Sequence, residues 1–364
     1  MKYIDEYRNA GLIKKISAQI KAIAPKNKIN IMEVCGTHTQ SFCRFGLKKL
    51  LPPNLNFISG PGCPVCVSSQ EFLDSAIRLA QNRDTIIATF GDLLRVPGTK
   101  SSLEKERARG ANINIVYSPL DSLRIAKENP DKKVVFLAVG FETTAPTIAL
   151  SILSCAKSKI KNLSFLPALK LIPAAMEYIL QDKSINISGF LCPGHVSTII
   201  GTRPYEFIVK GYSTPCCVAG FEPVDILEGI YFILRQIINK KPEVANQYSR
   251  VVRREGNAKA INVMKKVFQV YGADWRGFGS IRNSGLRIRD EFAIFDANRV
   301  FHIKTPGRKI AKSQGKCRCA DILKGLIKPS ECLLYAKLCT PDNPVGPCMV
   351  STEGACNAYY KYRS

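Results

Sequence analysis

The chain contains 364 residues, 46% of them hydrophobic, and its formal net charge is +24 at pH 7. This length predicts two or three domains with ample apolar core. We find no secretory signal and no run of eighteen uncharged apolar residues, so we expect a cytoplasmic protein without a membrane span. Its fourteen cysteines should then be reduced, metal-bound or transiently oxidised rather than locked in structural disulfides.

The positive charge is concentrated toward the C-terminus. Residues 241–364 hold 23 Lys and Arg residues against 10 Asp and Glu residues. Such a surface attracts polyanions or acidic partners. The sequence lacks a helix-turn-helix, an RNP motif, a zinc finger and aromatic residues among the basic ones, so it favours a solvated basic face over a nucleic-acid interface.

Three strand-and-turn patterns occur twice in the same order along the chain. The paired segments are 29–39 with 134–144, 57–63 with 190–195, and 86–92 with 217–223. Apolar β-rich runs alternate with helix-like stretches between them, which is the pattern of βαβ units on a parallel sheet. The turns after the strands hold the unusual residues, and open α/β sheets place their sites there.

We therefore predict an α/β fold with two similar parallel-sheet domains, residues 30–125 and 130–245, that face each other across a cleft. The alternative is a chance similarity between strand–turn units. Residues 3–24 have the apolar spacing of an amphipathic helix. We expect this N-terminal helix (residues 1–29) to pack with a third, mostly α and loop-rich domain formed by residues 246–364.

The first unusual turn is Cys35-Gly36-Thr37-His38-Thr39. A helix that begins here would place Cys35 near its N-terminus, where the helix dipole favours a thiolate. His38 is close enough to act as base, ligand or hydrogen-bond donor. One thiolate and one imidazole make an incomplete metal site, which suits an iron that takes further ligands from outside. The alternative is a buried cysteine beside a helix-capping histidine.

The second turn contains the pair Cys63-Pro64-Val65-Cys66, framed by glycines. This C-x-x-C spacing suits thiol–disulfide exchange. It could also supply half of a zinc site, but no second pair of matching ligands is apparent, so redox chemistry is favoured.

The second repeat has other polar groups at the corresponding turns. Glu142, Thr143 and Thr144 occupy the turn that matches His38, and His195 stands where Cys63 stands. A histidine in this setting is often structural. If it faced Cys35 and Cys63 across a cleft, His195 would be a candidate proton donor or a residue that orients metal ligands.

The tail carries six further cysteines with the spacing C-x-C-x12-C-x6-C-x8-C-x7-C. This spacing fits neither a zinc ribbon nor the compact bacterial ferredoxin pattern. Four thiolates from one domain could hold either zinc or an iron–sulfur cluster. The nearby redox pair favours a [4Fe–4S] cluster, because a disulfide needs a source of electrons. The cysteines in apolar runs are expected to be packing residues, namely Cys43, Cys155, Cys192, Cys216 and Cys217.

Five motifs, taken together and in order, resemble the HypD family of [NiFe]-hydrogenase maturation proteins, nearly from end to end. They are Cys35–Thr39, Gly60–Cys66, the Gly-Phe-Glu-Thr-Thr run at 140–144, the Pro-Gly-His-Val-Ser run at 193–197 and the Ser-Thr-Glu-Gly-Ala-Cys run at 351–356.

The resemblance implies a redox-active scaffold that, with a HypC-type chaperone, binds iron and assembles the Fe(CN)2CO group, while a HypE-type protein delivers cyanide. It implies that Cys35 binds this transient iron together with a cysteine of HypC. Cys63 and Cys66 would relay electrons as a dithiol from a [4Fe–4S] cluster. The cluster ligands implied by the family pattern are Cys319, Cys332, Cys339 and Cys356, with Cys317 and Cys348 as extras.

Within this interpretation, Glu142, Thr143, Thr144 and His195 are expected to shape the pocket for cyanide and CO. Two rival functions stay open at this point. The chain could be a stand-alone thiol–disulfide reductase fed by the cluster, or a zinc-stabilised protein whose basic surface binds nucleic acid.

Overall fold

The computed structural model describes residues 4–303 and 317–362, and these form an α/β protein with two sheets. The strands in chain order are β1 (Ile29–Glu33), β2 (Leu55–Ser59), β3 (Thr85–Thr89), β4 (Ile113–Ile115), β5 (Lys133–Gly140), β6 (Leu163–Lys170), β7 (Gly189–Pro193), β8 (Cys216–Ala219), β9 (Val244–Asn246), β10 (Phe268–Trp275) and β11 (Gly279–Ile288).

The helices lie mainly between the strands, as βαβ units require. They are α1 (Ala10–Ile23), α2 (Gly36–Arg44), α3 (Pro64–Val67), α4 (Gln70–Ala80), α5 (Leu103–Ala108), α6 (Asp121–Glu128), α7 (Ala145–Lys157), α8 (Ile172–Gln181), α9 (Gly194–Ile200), α10 (Glu206–Tyr212), α11 (Pro223–Ile238), α12 (Ala258–Val267), α13 (Ala297–Val300), α14 (Cys319–Leu323), α15 (Pro347–Val350) and α16 (Ala355–Tyr362).

The first sheet has the strand order β2-β1-β7-β8-β9, and all its strands are parallel. The second sheet has the order β10-β11-β6-β5-β3-β4 and is parallel except for the β10–β11 hairpin, which pairs antiparallel with β6. Central strands such as β5 are buried on both faces because helices cover both sides, so they read as continuous apolar runs.

One face of each sheet contributes to a common apolar core. Met32 and Ile58 of the first sheet, Val135 and Leu166 of the second, and the tail residue Cys348 all belong to it. The other face of the first sheet forms a second core with α1 and α11. The other face of the second sheet forms a third core. The two sheets and the tail are therefore held together by shared burial.

The internal repeat is visible in the topology, with a pairing that differs in part from the predicted one. The order β2-β1-β7-β8 of the first sheet recurs as β6-β5-β3-β4 in the second. This correspondence matches β1 with β5, as predicted. It matches β2 with β6 and β3 with β7, so the predicted equivalence of Cys63 with His195 is wrong. Apolar strand-and-turn segments look alike, and sequence similarity alone therefore aligned the wrong pair.

The sheets also do not follow the predicted boundaries. The first sheet combines β1 and β2 with β7 to β9, and the second combines β3 to β6 with the hairpin from the predicted third domain. A division of the chain at residues 125–130 therefore does not separate the two sheets. Hydrophobic periodicity locates strands, but it carries no information about which strands pair.

The N-terminal helix α1 packs against α11 of the first sheet. The sequence had predicted that it would pack with the domain formed by residues 246–364. Ile16 and Ile20 are buried there among apolar residues of α11 such as Ile230. Just before α1, Arg8 forms an ion pair with Glu222 at the start of α11. The amphipathic pattern predicted a buried face but could not identify the surface that covers it.

Across residues 4–303 and 317–362, no helix is long and apolar enough to cross a bilayer.

Candidate functional site

The candidate site lies where the parallel strands of the first sheet end. Cys35 follows β1, Cys63 follows β2, His195 follows β7 and Phe221 follows β8. These strands are neighbours and run parallel. Their carboxyl ends therefore meet at one edge of the sheet, the usual position of a site in this class of fold.

Cys35 precedes the first turn of α2 as its N-cap, and its side chain is buried. Burial raises the pKa of the Cys35 thiol to about 12, with a further contribution from the nearby Glu353 carboxylate. The backbone N–H groups of His38 and Thr37, at the start of α2, oppose this rise in pKa only in part. Burial therefore opposes the thiolate that the helix dipole was predicted to favour at this position.

Cys63 and Cys66 form a disulfide with a Cα–Cα distance of 5.3 Å. Pro64 begins the short helix α3, and the backbone N–H of Cys66 donates to the Cys63 sulfur at 3.2 Å. Cys63 is 2% exposed and Cys66 is completely buried. The C-x-x-C pair is thus an oxidised pair that solvent scarcely reaches.

Glycine allows this disulfide segment to pack directly on Cys35. The N–H of Gly36 donates to the Gly62 carbonyl at 3.1 Å. A Cβ atom at Gly62 would lie 2.5 Å from the Cα of Cys35 and 2.5 Å from the nitrogen of Gly36. Such contacts do not occur between real atoms, so only glycine permits this approach.

His38 and His195 lie on the same aromatic side chain. The ring of Phe221 is 4.9 Å from the His38 ring and 3.9 Å from the His195 ring, measured between centroids. His38 Nε2 donates to the carbonyl of Gly220 at 2.8 Å, while its Nδ1 is buried without a hydrogen-bond partner. Burial lowers the pKa of His38 to about 4 and lowers the pKa of His195. Both imidazoles are therefore predominantly neutral at neutral pH.

Glu142, Thr143 and Thr144 follow β5 and so lie at the edge of the second sheet. Glu142 is buried, its Oε1 accepts from the N–H of Ile172 at 3.0 Å, and its Oε2 has no partner. Burial raises the pKa of Glu142 to about 8, so the carboxyl is largely protonated at neutral pH. Thr143 is exposed, and Thr144 precedes α7 as its N-cap.

The tail reaches the edges of both sheets through residues 351–353. The Thr37 hydroxyl donates to Glu353 Oε1 at 3.0 Å, and the Ser351 hydroxyl donates to Asp92 Oδ2 at 2.7 Å. Thr37 belongs to the turn after β1, and Asp92 follows β3 of the second sheet. A Cβ at Gly36 would also collide with the Glu353 backbone. The tail thus closes over Cys35 and spans the two sheets.

All six tail cysteines line one cavity. Its thiols come from Cys317, Cys319, Cys332, Cys339, Cys348 and Cys356. The N–H of Val345 donates to the sulfur of Cys339 at 3.4 Å. The cavity also adjoins the disulfide, because the Cys66 sulfur contacts the Pro347 carbonyl at 3.8 Å.

The donor set of this cavity fits an iron–sulfur cluster. Soft thiolates are the ligands of such clusters, and four are needed. Within the ranges that the structure describes, no three His, Cys, Asp or Glu side chains are arranged to hold a metal ion. The thiols thus surround a space without converging on one point. A four-iron cluster is wider than a single ion, so its ligands lie farther apart.

Three residues of the site received no role from the sequence motifs. Phe221 contacts both histidines, Glu353 contacts Thr37, and Arg276 lies beside the tail thiols. Glu353 falls within a recognised motif, and Phe221 follows a predicted strand, so their neighbourhood could have been suspected. Arg276 comes from a hairpin distant in sequence from every motif, and the sequence contains no signal for it.

The two sheets and the tail thus bring a buried thiol, a disulfide and a thiol-lined cavity together in one α/β protein. A family model described as the HypD hydrogenase formation family (hypA family) matches residues 11–363. The hydrogenase maturation factor HypD of Rhizobium leguminosarum bv. viciae is 45% identical over 371 residues, which cover 100% of this chain and 96% of that protein. The chain belongs to the HypD family of hydrogenase maturation factors.

Two further relatives show the same similarity over a wide range of organisms. The hydrogenase maturation factor HypD of Cupriavidus necator is 44% identical over 371 residues, with 100% of this chain and 97% of that protein covered. A putative hydrogenase expression/formation protein of Methanocaldococcus jannaschii is 42% identical over 354 residues, with 97% and 98% covered.

Proposed function

We propose that this hydrogenase maturation factor is a redox-active scaffold on which the Fe(CN)2CO group is assembled. Cys35 binds the iron, jointly with a cysteine of a HypC-type chaperone, and a HypE-type protein delivers cyanide. The observation that carries the proposal is the convergence on Cys35 of two other segments, the disulfide loop at Gly62 and the tail at Glu353.

The surroundings of Cys35 suit a cargo metal better than a permanent one. At the start of α2, the backbone N–H groups of His38 and Thr37 favour its thiolate form. Burial keeps it protonated until a cation displaces the proton. His38 directs Nε2 at the Gly220 carbonyl, so this nitrogen orients the ring instead of binding the iron. One thiolate leaves several iron positions for the ligands and the partner's cysteine.

The Cys63–Cys66 disulfide serves as the electron store beside the iron. Its reduction to two thiols takes up two electrons and two protons and breaks the S–S bond. A [4Fe–4S] cluster in the tail cavity would supply electrons one at a time. The contact between Cys66 and Pro347 next to Cys348 supports this route. Because the disulfide is buried, the structure favours an internal relay over a stand-alone reductase of external disulfides.

The four cluster ligands come from the six cavity thiols. The family pattern assigns Cys319, Cys332, Cys339 and Cys356. Cys317 and Cys348 line the same cavity as the two extra thiols.

The pocket for cyanide and CO is formed by residues that follow the strands of both sheets. His195 lies on the edge that carries Cys35, while Glu142, Thr143 and Thr144 lie on the other. The tail loop that joins Thr37 to Asp92 supports a single pocket between them. We place this work in the cytoplasm, where free and metal-bound cysteines are the rule and structural disulfides are rare. The surface charge of +24 suits acidic protein partners rather than nucleic acid.

The proposal predicts the metal content of the anaerobically purified chain. We expect about four irons and four acid-labile sulfides per chain and no zinc. Cys332→Ala should lose both, whereas Cys155→Ala, a buried cysteine of α7, should retain them. Loss of the cluster in Cys317→Ala but not in Cys319→Ala would contradict the ligand set that the family pattern assigns. One zinc without sulfide would contradict the redox scaffold.

A further inference from the structure

Arg276 lies at the tip of the β10–β11 hairpin and contacts the end of the disulfide helix. Its backbone N–H donates to the Val67 carbonyl at 2.9 Å, and its Nε donates to the Ser68 carbonyl at 3.0 Å. Its Nη2 donates to Gln70 Oε1 at 2.9 Å. Val67 ends α3, the helix that contains Cys66. Arg276 therefore binds carbonyl groups that the end of this helix leaves unpaired.

The same hairpin tip packs against the tail cavity from the other side. Gly277 has a φ of +85°, and a Cβ there would lie 2.7 Å from the Cβ of Ala320, the residue after Cys319. The charge of Arg276 acts on the thiols of Cys319, Cys348 and Cys317. The tip thus contacts both the end of the disulfide helix and the residue that follows Cys319.

The guanidinium stays cationic in this position. Burial lowers the pKa of Arg276, but the free group titrates so high that arginine is effectively always charged in proteins. With little water to screen it, a fixed charge acts strongly on neighbouring groups.

We propose that Arg276 is a positioning residue that sets the reduction potential of the cluster in the tail cavity and holds the disulfide helix against that cavity. The inference rests on the proposed function, because it takes the cavity to hold a [4Fe–4S] cluster. A reduced cluster carries one more negative charge than an oxidised one. A nearby cation therefore favours the reduced form and raises the potential.

The test is a spectroelectrochemical titration of the holoprotein, following the visible absorbance of the cluster. In Arg276→Gln we expect the equilibrium to shift about tenfold toward the oxidised form, which is a decrease of about 59 mV for a one-electron couple. Arg276→Lys keeps the charge and should stay close to the wild-type potential. The control is Arg95→Gln, which removes another arginine that holds the tail, through the Pro341 carbonyl at 2.8 Å, and should leave the potential unchanged.

An unchanged potential in an Arg276→Gln protein that contains the cluster would overturn this inference but not the proposed function. An equal decrease in Arg95→Gln would overturn it too, because the effect would then be one of net charge. If Arg276→Gln loses the cluster, Arg276→Lys is the deciding variant. A cluster that Arg276→Lys retains at the wild-type potential supports the role of the charge. Loss of the cluster in Arg276→Lys, or a shifted potential, contradicts that role. A wild-type chain without iron and sulfide would overturn the proposed function and this inference with it.

Discussion

Glu142 shows how burial alone determines the protonation of a site residue. The carboxyl of Glu142 lies just after β5, where one oxygen accepts from the N–H of Ile172 and the other has no partner. Burial raises the pKa from 4.5 to about 8, and the hydrogen bond from Ile172 opposes this only in part. At neutral pH the protonated Glu142 can therefore act as a proton donor, which is the role that the proposed cyanide pocket would require of it.

The raised pKa predicts a pH-dependent stability difference between the wild type and Glu142→Gln. Between pH 4.5 and 8 the unfolded state releases the Glu142 proton while the folded state keeps it, so the free energy of unfolding falls as the pH rises. The decrease relative to the variant should be about 1.4 kcal/mol per pH unit in this interval. Urea unfolding of both proteins at pH 5, 6.5 and 8 measures it.

Comparison with Glu142→Gln isolates this residue from other buried carboxyls. Glu33, for example, is also buried and has a pKa raised to about 7, but it is present in both proteins. Parallel stability curves for the two proteins across this range would contradict the assigned protonation of Glu142.

At the scale of elements, the junction between β1, α2 and the disulfide loop depends on close backbone packing. Gly62 touches the Cα of Cys35, and Gly36 touches Glu353. The sequence could predict that Cys35 ends a strand and begins a helix, because apolar periodicity and a following glycine mark that change. It could not predict which segments press on this turn, since those contacts come from residues up to 316 positions away.

Gly62→Ala should destabilise the protein and separate the disulfide loop from Cys35. The added methyl has no space, and overpacking of this kind costs about 1–3 kcal/mol. The matched control is Gly211→Ala in α10, where a Cβ meets no atom within 4 Å and alanine is the better helix former by about 0.5–1 kcal/mol. Urea midpoints that fall for Gly62→Ala and hold or rise for Gly211→Ala would agree with this account. Equal midpoints for the two variants would refute the close contact.

At the scale of the whole molecule, much of the fold class and the main site were predictable, and the long-range arrangement was not. The α/β class, the turns after the strands and the family resemblance followed from local patterns. The exchange of strands between halves of the chain, the packing of α1 on α11 and the place of Arg276 depend on tertiary contacts. The effect of burial on the Cys35 thiol was also missed, because the cost of burying a thiolate is invisible in the sequence.

The central claim is that Cys35 holds the iron while the tail cavity independently holds the electron source. The most direct test is the infrared spectrum of the protein purified anaerobically with its HypC-type partner, together with its iron and sulfide content. We predict CN and CO bands in the wild type and in Cys155→Ala. In Cys35→Ala the bands should be absent while iron and sulfide of the tail stay at the wild-type level. Bands that persist in Cys35→Ala would contradict the account.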